Sequence, residues 1–370
     1  MIRFCHAGPA ILLALISIAW APAHADEGQD VFVGYVSGRA DGIDYSLYTH
    51  LCHAFVVADA DGRLRPNPHV PDREFARRAH QNDVRVLLSL GGWGWDAQFA
   101  QMVLDPDAED RYVRSVLALV DEADYDGIDV DWEYPDSREE MPGYERLTAK
   151  LRRGLDTLEA TKGRPHVLTM AAAAHPRTLA WLTNDFLVAS FDWVNVMTYD
   201  YAGSWTSFAG HHAPVRASSK APGGDRQSIE RTLDYLLVER KLPPRRIALG
   251  LPLYGRAYSV SAPYETTEST TRPGRAVVAR DINGLLAEGW RREWDAETDT
   301  AWLFAPTADA VLGYDDAESI RLKTQLAKSR DLRGVFFWEV GQDRIPDGTN
   351  PLQQAAKAAW AAPISRGSFE

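Results

Sequence analysis

The sequence predicts a (β/α)₈ barrel, or TIM barrel, with a small α+β insertion between its seventh and eighth strands. Two observations support this fold. Short β-rich runs recur eight times along the 370 residues, and helical periodicity fills most of the gaps between them. Alternating strands and helices force the strands to run parallel, and eight parallel strands close on themselves.

The predicted strands are short, and several are apolar throughout, as expected for strands that are covered on both faces. No G-x-G-x-x-G phosphate loop follows the first of them, which argues against a doubly wound open sheet. The eight runs are Val31–Tyr35, Leu51–Val57, Val84–Leu90, Gly127–Trp132, Val167–Ala172, Trp193–Met197, Arg246–Leu251 and Gly334–Phe337.

Helical spacing is clearest in two internal segments and near the C-terminus. The segment from Val113 to Val120 follows an acidic start, and that from Ile229 to Leu237 follows Ser228, a residue suited to cap a helix. Pro351–Trp360 predicts a closing helix. Helical spacing is poor between strands seven and eight, so residues 257–312 are predicted to form an insertion module, with 26–256 and 313–370 forming the barrel.

Composition and charge limit the classes of partner. The chain is 45% hydrophobic and 25% charged, the balance of a globular protein with a large core. Its formal net charge of −12 has the wrong sign for a phosphate backbone or an anionic membrane surface. We therefore expect no nucleic-acid partner.

The N-terminal 25 residues have the pattern of a secretory signal peptide. Arg3 precedes an apolar run from Ala10 to Trp20, and Ala23-His24-Ala25 fits a small-x-small cleavage site. The run is shorter than the roughly 20 apolar residues of a membrane span, so no anchor is expected. The sequence thus predicts a secreted or periplasmic protein. Cys52 would be its lone cysteine, and its apolar surroundings predict a small buried hydrophobe.

One predicted strand carries three acidic residues on a single face. Side chains alternate along a strand, so Asp129, Asp131 and Glu133 point the same way, with neighbours roughly 6.5 Å apart. Three like charges inside a low-dielectric barrel cannot all ionise freely, so at least one pKa is expected to rise. Glu133 comes last, nearest the C-terminal rim where barrel active sites are built, and is the candidate general acid. Asp126 has the opposite parity and precedes Gly127, which indicates a structural role at the strand entrance.

A metal site and a solvated acidic strand are the alternatives for this cluster. Clustered carboxylates also suit hard cations. A solvated strand would not be flanked by Trp132, Tyr134 and apolar neighbours. The pattern favours catalysis, and no metal is predicted.

The run from Asp126 to Glu133 resembles the D-x-x-D-x-D-x-E signature of family 18 glycoside hydrolases, the chitinase family. The resemblance extends over nearly the whole chain after the signal peptide, and further motifs follow in the family's order. Ser89-Leu90-Gly91-Gly92 is similar to its S-x-G-G, Met197-Thr198-Tyr199-Asp200 to its M-x-Y-D, and Tyr254-Gly255-Arg256 to its Y-x-R. Trp338 resembles the tryptophan that forms the floor of the sugar subsite. Tyr35 resembles the aromatic residue that ends strand one.

The family resemblance implies a substrate-assisted mechanism, in which the 2-acetamido group of the sugar is the nucleophile. Glu133 would protonate the glycosidic oxygen, and Asp131 would orient the acetamido group while Asp129 adjusts the protonation of Asp131. Tyr199 would bind the acetamido oxygen. The residues expected to hold or flank the sugar are Tyr35, Ser89, Asp200, Tyr254, Arg256 and Trp338, together with Trp93 from its position just past strand three. No cofactor is implied.

Several other residues have plain structural interpretations. Ser89 is equally suited to a turn beside two glycines. Trp93, Trp95 and Trp205 are candidate sugar platforms in apparent loops, whereas the insertion tryptophans Trp290, Trp294 and Trp302 are expected mainly to form its core. His211-His212 lacks partners at zinc spacing and is predicted to lie in a solvated loop.

The resemblance implies a hydrolase that cleaves β-1,4 bonds next to N-acetylglucosamine in chitin or its oligosaccharides. We expect this hydrolase to be a monomer. An endo-β-N-acetylglucosaminidase or a peptidoglycan hydrolase of the same family is the first alternative. A chitin-binding lectin without turnover is the second, and the presence of Glu133 argues against it.

Overall fold

The structure is a computed structural model, and it describes residues 28–224, 227–267 and 274–364. The predicted signal peptide lies outside these residues. The strands are β1 (Val31–Ser37), β2 (His50–Val56), β3 (Arg85–Gly91), β4 (Gly127–Asp131), β5 (Val167–Ala173), β6 (Trp193–Met197), β7 (Ile247–Pro252), β8 (Tyr254–Tyr258), β9 (Arg275–Val278), β10 (Arg291–Asp295), β11 (Thr300–Phe304), β12 (Val311–Tyr314) and β13 (Gly334–Trp338).

Helices alternate with the strands and cover the outside of the barrel. They are α1 (Arg73–His80), α2 (Asp96–Leu104), α3 (Pro106–Glu122), α4 (Met141–Lys162), α5 (Pro176–Leu179), α6 (Asn184–Ser190), α7 (Ile229–Asp234), α8 (Ala279–Ala287), α9 (Ala317–Ser329) and α10 (Pro351–Ala361). Ser228 caps α7 as predicted, since its hydroxyl accepts a hydrogen bond from the Arg231 amide at 3.2 Å.

Eight parallel strands close into the predicted barrel. Going around it, the order is β1, β13, β7, β6, β5, β4, β3 and β2, so β13 is the eighth barrel strand. Apolar side chains fill the space between strands and helices, with Val86, Leu90 and Val130 among those fully buried. This packing leaves the inward-facing positions of β4 free to carry acids. Cys52 is buried inside the barrel and is a free thiol.

The insertion between β7 and β13 is a five-stranded antiparallel sheet in the order β10-β11-β12-β8-β9, together with α8. The sheet begins at Tyr254, so Tyr254 and Arg256 lie on its first strand. Trp302 is 2% exposed and packs in the insertion's core. Trp290 and Trp294 are partly buried against a second apolar cluster of the same sheet.

The insertion forms backbone hydrogen bonds to the segment that follows β6. The Ala209 amide donates to the Glu265 carbonyl, and the Tyr264 amide donates back to the Ala209 carbonyl, both at 2.9 Å. The Thr267 amide donates to the Ser207 carbonyl at the same distance. The insertion therefore holds in place the stretch of chain that carries Trp205.

Both ends of the described chain lie at the base of the barrel, where β1 begins. Asp30 accepts a hydrogen bond from the indole of Trp360 in the last helix at 2.8 Å. Its other carboxylate oxygen accepts from Arg245, just before β7, at 2.9 Å. Because the strands are parallel, their C-terminal ends open on the opposite face of the molecule.

Candidate active site

The acidic strand β4 places its three carboxyl groups as alternation predicts. Asp129 is fully buried, Asp131 is 3% exposed, and Glu133 lies just beyond the strand at the C-terminal rim. In the pairing of β3 with β4, Ser89 stands opposite Asp129, and Gly91 opposite Asp131. The carboxyl groups thus form a line from the barrel interior to its mouth.

Asp129 accepts four hydrogen bonds from side chains on four different strands. Oδ2 accepts from the hydroxyls of Tyr35 and Ser89, both at 2.9 Å. Oδ1 accepts from the Thr169 hydroxyl at 2.6 Å and from the Asn195 amide at 3.3 Å. Burial raises the pKa of Asp129, and these four donors act against that rise.

Asp131 is buried with an unpaired oxygen. Its Oδ1 has no hydrogen-bond partner among the described residues, although the side chain lines the cleft at the barrel mouth. Burial and the negative charges of Glu133 and Asp129 hold the pKa of Asp131 well above its usual range. A buried acceptor without a partner is costly, so this carboxyl group is suited to a ligand that brings an N–H donor.

Glu133 has the properties of a general acid at near-neutral pH. Burial raises its pKa to about 7, with a further contribution from the charge of Asp200. A carboxyl group with such a pKa retains its proton in weakly acidic solution, and it can release that proton to a leaving group.

Asp131 and Glu133 line a cleft of about 810 Å³ at the C-terminal rim. The volume suits an oligosaccharide segment or another extended small ligand. Most of the residues predicted to bind substrate line this cleft, namely Tyr35, Trp93, Asp200, Tyr254, Arg256 and Trp338, together with the predicted catalytic Tyr199.

Aromatic rings provide flat surfaces along the cleft. Trp338, at the end of β13, packs against Tyr35 and Phe55 with ring centroids 5.6 and 5.7 Å apart. Trp93 and Trp205 line the same cleft with 75% and 54% of their surface exposed. Apolar rings held at a wet surface are suited to stack on the faces of sugar rings.

Asp200 and Arg256 form an ion pair on one wall of the cleft. Arg256 donates to Asp200 Oδ1 through Nε at 3.0 Å and through Nη2 at 2.7 Å. The guanidinium carbon also lies 5.0 Å from the centre of the Trp205 ring. Burial alone would raise the pKa of Asp200, but His212 and Arg256 together lower it. Asp200 is therefore held as an anion.

Four predicted motif residues position the site from outside the cleft. Asp126 lies at the base of β4, where Oδ2 accepts from the Val86 amide at 2.8 Å and contacts His80 Nε2 at 2.7 Å. Gly91 has φ 106°, and a Cβ there would lie 2.3 Å from the Asp131 carbonyl oxygen. The Gly92 amide donates to that same oxygen at 2.8 Å. Gly127 lets β4 approach β5 closely.

Two predictions from the sequence differ from the structure. Trp95 lies under the guanidinium of Arg65, 4.7 Å from its ring centre, and does not line the cleft. The expected solvated loop at His211-His212 is wrong, because both side chains are buried. His211 Nε2 contacts the Tyr314 carbonyl oxygen at 3.1 Å, and His212 Nδ1 lies 3.7 Å from Asp200 Oδ1.

Sequence reasoning missed Thr169 and Asn195, two of the four donors to Asp129. Each is a polar residue at an inward position of a largely apolar strand. Strand parity was the only available signal for either residue. Parity alone could not show that they meet Asp129, because that contact depends on the register of β4, β5 and β6.

The described residues show neither a metal cluster nor a membrane span. No three of their His, Cys, Asp or Glu side chains are grouped so that they could hold a metal ion. No described helix is both long and apolar enough to cross a bilayer.

Comparisons with known proteins point to one family. The model of the glycosyl hydrolases family 18 matches residues 31–343. Chitinase A1 of Niallia circulans is 28% identical over 295 residues, which cover 73% of this chain but only 42% of that protein. The chain therefore spans less than half the length of this relative.

Solved structures agree with these sequence matches. A mutant chitinase of the same family from Cycas revoluta, in complex with (GlcNAc)4, superimposes with a TM-score of 0.78 at 28% identity, covering 89% of this chain and 99% of that one. A family 18 N-acetylglucosaminidase from Paenibacillus barengoltzii gives a TM-score of 0.80 at 26% identity, covering 90% and 100%.

Proposed function

Because the chain belongs to glycosyl hydrolase family 18, we propose that it cleaves β-1,4 bonds next to N-acetylglucosamine in chitin or chitooligosaccharides. The observation that carries this proposal is the state of the acidic strand. Asp129 is satisfied by four donors, Asp131 keeps a buried unpaired oxygen, and Glu133 titrates near neutral pH. The Cycas relative, whose structure contains (GlcNAc)4, supports the substrate class.

The reaction begins with proton transfer from Glu133 to the glycosidic oxygen. The carbonyl oxygen of the 2-acetamido group attacks the anomeric carbon as the leaving group departs, which gives an oxazolinium ion. Asp131 Oδ1 accepts a hydrogen bond from the acetamido N–H and stabilises the positive charge that develops on the oxazolinium ring. The Tyr199 hydroxyl, which lines the same cleft, donates a hydrogen bond to the acetamido oxygen.

The second step returns the enzyme to its starting state. The Glu133 carboxylate takes a proton from water, and the water oxygen attacks the anomeric carbon from the face opposite the acetamido group. The oxazolinium ring opens, and the product keeps the β configuration of the substrate. Trp338 supports the sugar from below, while Asp200 and Arg256 hold it on one wall of the cleft.

Product stereochemistry and substrate chemistry test this mechanism. We expect β-anomeric product first by NMR, before mutarotation, and no cleavage of fully deacetylated chitosan, which lacks the acetamido nucleophile. Initial α product, or rapid cleavage of that polymer, would require a different nucleophile.

A Glu133→Gln variant tests the assignment of the acid. The amide keeps the shape of the side chain but cannot donate a proton to the leaving oxygen, so turnover should be lost while oligosaccharide binding persists. Residual activity above roughly a tenth of the parent's would contradict general-acid catalysis of the usual 10²–10⁴-fold strength by this residue.

The substrate is tested by product analysis on three polymers in parallel. Chitin oligosaccharides should be cleaved, whereas peptidoglycan and a high-mannose glycopeptide should not. Cleavage of either of the latter in preference to chitin would indicate the corresponding hydrolase of the same family. Tight binding of chitin oligosaccharides without any product would indicate a lectin.

We also propose that the protein is exported and monomeric. The pattern of residues 1–25 supports export. Mass spectrometry of the exported protein should give a chain beginning at Asp26, and light scattering should give the mass of a single chain.

A further inference from the structure

A chain of hydrogen bonds runs through the barrel interior from β6 to the acidic strand. The indole Nε1 of Trp193 donates to Asn195 Oδ1 at 2.9 Å. Asn195 Nδ2 lies 3.0 Å from the Tyr35 hydroxyl and 3.3 Å from Asp129 Oδ1. The Tyr35 hydroxyl lies 2.9 Å from Asp129 Oδ2. All four side chains are buried.

The donor and the acceptor of every hydrogen bond in this network follow from the indole N–H of Trp193. An indole N–H can only donate, so Asn195 must present its oxygen to Trp193 and its NH₂ group to Tyr35 and Asp129. Since that NH₂ group only donates, the Tyr35 oxygen accepts from it, and the Tyr35 hydrogen is directed to Asp129. Asp129 therefore receives two hydrogen bonds whose direction Trp193 fixes, and both favour its ionised form.

Few other groups can exchange a proton with Asp129. The titratable side chains around it are Tyr35 on β1, Cys52 on β2, Asp131 on β4 and Tyr144 on α4. Burial raises the pKa of Tyr35, Cys52 and Tyr144 well above their usual values, so these three stay neutral. Among the residues that the structure describes, Asp131 is left as the neighbour that competes with Asp129 for a proton.

We propose that Trp193 and Asn195 are positioning residues that hold Asp129 as an anion, so that the proton of the acidic strand stays on Asp131 and Glu133, within reach of the glycosidic oxygen. This inference rests on the proposed function and deepens it. Neither residue lines the cleft, so both act through Tyr35 and Asp129 rather than through the sugar.

Two variants remove different hydrogen bonds of this network. Trp193→Phe keeps an aromatic ring but removes the N–H that orients the amide. Asn195→Leu keeps the approximate volume of the side chain but removes both hydrogen bonds that the amide donates. Thr324→Val is the matched control, because it removes a buried hydroxyl from α9 that is not among the donors to Asp129. Its Oγ1 donates to the Ile320 carbonyl at 2.8 Å.

The first measurement is the pH profile of kcat/KM on a chitooligosaccharide. With fewer donors, Asp129 binds a proton at higher pH, so the acidic limb should move up by about one pH unit in Asn195→Leu and by less in Trp193→Phe. KM should change little. An even loss of activity at every pH, with both limbs in place, would mean a structural role and overturn the proposal.

The second measurement does not depend on any substrate. The donors stabilise the ionised form of Asp129, so their loss should lower the melting temperature more at pH 8 than at pH 4, where protonation of Asp129 offsets it. Thr324→Val should lower the melting temperature by the same amount at both pH values. A cost in Asn195→Leu that does not change with pH would refute the proposal, whereas a wild-type protein without hydrolase activity would refute only the proposed function.

Discussion

Glu133 links the chemistry of the site to the stability of the whole fold. Burial raises its pKa from 4.5 to about 7, so the folded protein binds this proton more tightly than the unfolded chain does. The stability that this proton contributes is fully present below pH 4.5, and it is lost as the pH rises towards 7. At alkaline pH the folded protein must accommodate a buried charge that the unfolded chain exposes to water.

Glu133→Gln should therefore stabilise the protein in a pH-dependent way. We expect the variant to exceed the wild type by roughly 1–3 kcal/mol in free energy of unfolding at pH 8, and to differ little at pH 4. Urea denaturation at the two pH values measures this difference. The control is Glu145→Gln, on the exposed face of α4, which should change stability little at either pH. A variant less stable than the wild type at pH 8 would contradict the buried-charge argument.

At the scale of strands, Gly127 shows how closely β4 approaches β5. Its φ is 152°, and a Cβ there would lie 2.0 Å from the Val167 carbonyl oxygen. Gly127→Ala should lower the free energy of unfolding by roughly 2–5 kcal/mol, because strain and overpacking add. Gly284→Ala is the matched control. A Cβ there meets nothing within 4 Å, so this change in α8 should be neutral or slightly stabilising. Equal effects of the two substitutions in urea denaturation would contradict this packing.

Two tryptophans have different surroundings and should have different roles, since Trp302 lies in the core of the insertion and Trp205 lines the cleft. Trp302 is 2% exposed and Trp205 is 54% exposed. Trp302→Ala should cost roughly 3–5 kcal/mol in stability through the cavity it leaves. Trp205→Ala should leave stability nearly unchanged and weaken the binding of long oligosaccharides. Thermal melts and binding titrations on both variants measure the two effects, and the reverse pattern would overturn both assignments.

The barrel could be predicted because its strands follow local rules. Apolar runs such as Val84–Leu90 mark strands covered on both faces, and alternation alone placed Asp129, Asp131 and Glu133 on one side of β4. The structure shifts strand limits by a residue or so, with β3 at Arg85–Gly91. Such limits depend on neighbouring strands, which a single sequence does not reveal.

Other parts of the site could not be predicted, because their partners are distant in sequence. Asn195 meets Tyr35 across 160 residues. His211 is buried against the carbonyl of Tyr314, 103 residues away. A histidine pair in a loop looks solvated until the element that covers it is known. Long-range contacts of this kind decide burial without leaving a local pattern.

At the scale of the whole molecule, the insertion can be removed because the residues on either side of it lie next to each other. Arg256 and Gly313 are paired neighbours on β8 and β12, so a short linker can replace residues 257–312. The eight barrel strands would keep their pairing with one another, including that of β4 with β3 and β5. The segment with Trp205 would lose its hydrogen bonds to Tyr264, Glu265 and Thr267.

We therefore expect the shortened protein to fold and to cleave short reporter oligosaccharides slowly, but to lose most of its affinity for longer chains. Circular dichroism, reporter kinetics and binding of a chitin hexamer measure the three properties. Trp205→Ala in the intact protein is the matched comparison, since it removes the ring without removing the insertion. A shortened protein that binds the hexamer as tightly as its parent would show that the insertion does not shape the cleft.

The hydrogen bond between Asp30 and Trp360 has a practical consequence for handling the protein. It brings the two ends of the described chain together at the base of the barrel, opposite the cleft. An affinity tag or a surface tether at either end would therefore leave the cleft open to a polymer approaching from solution. For the same reason, a short peptide could join the two ends into a circular chain, and new termini could then be opened in an outer loop without disturbing the acidic strand.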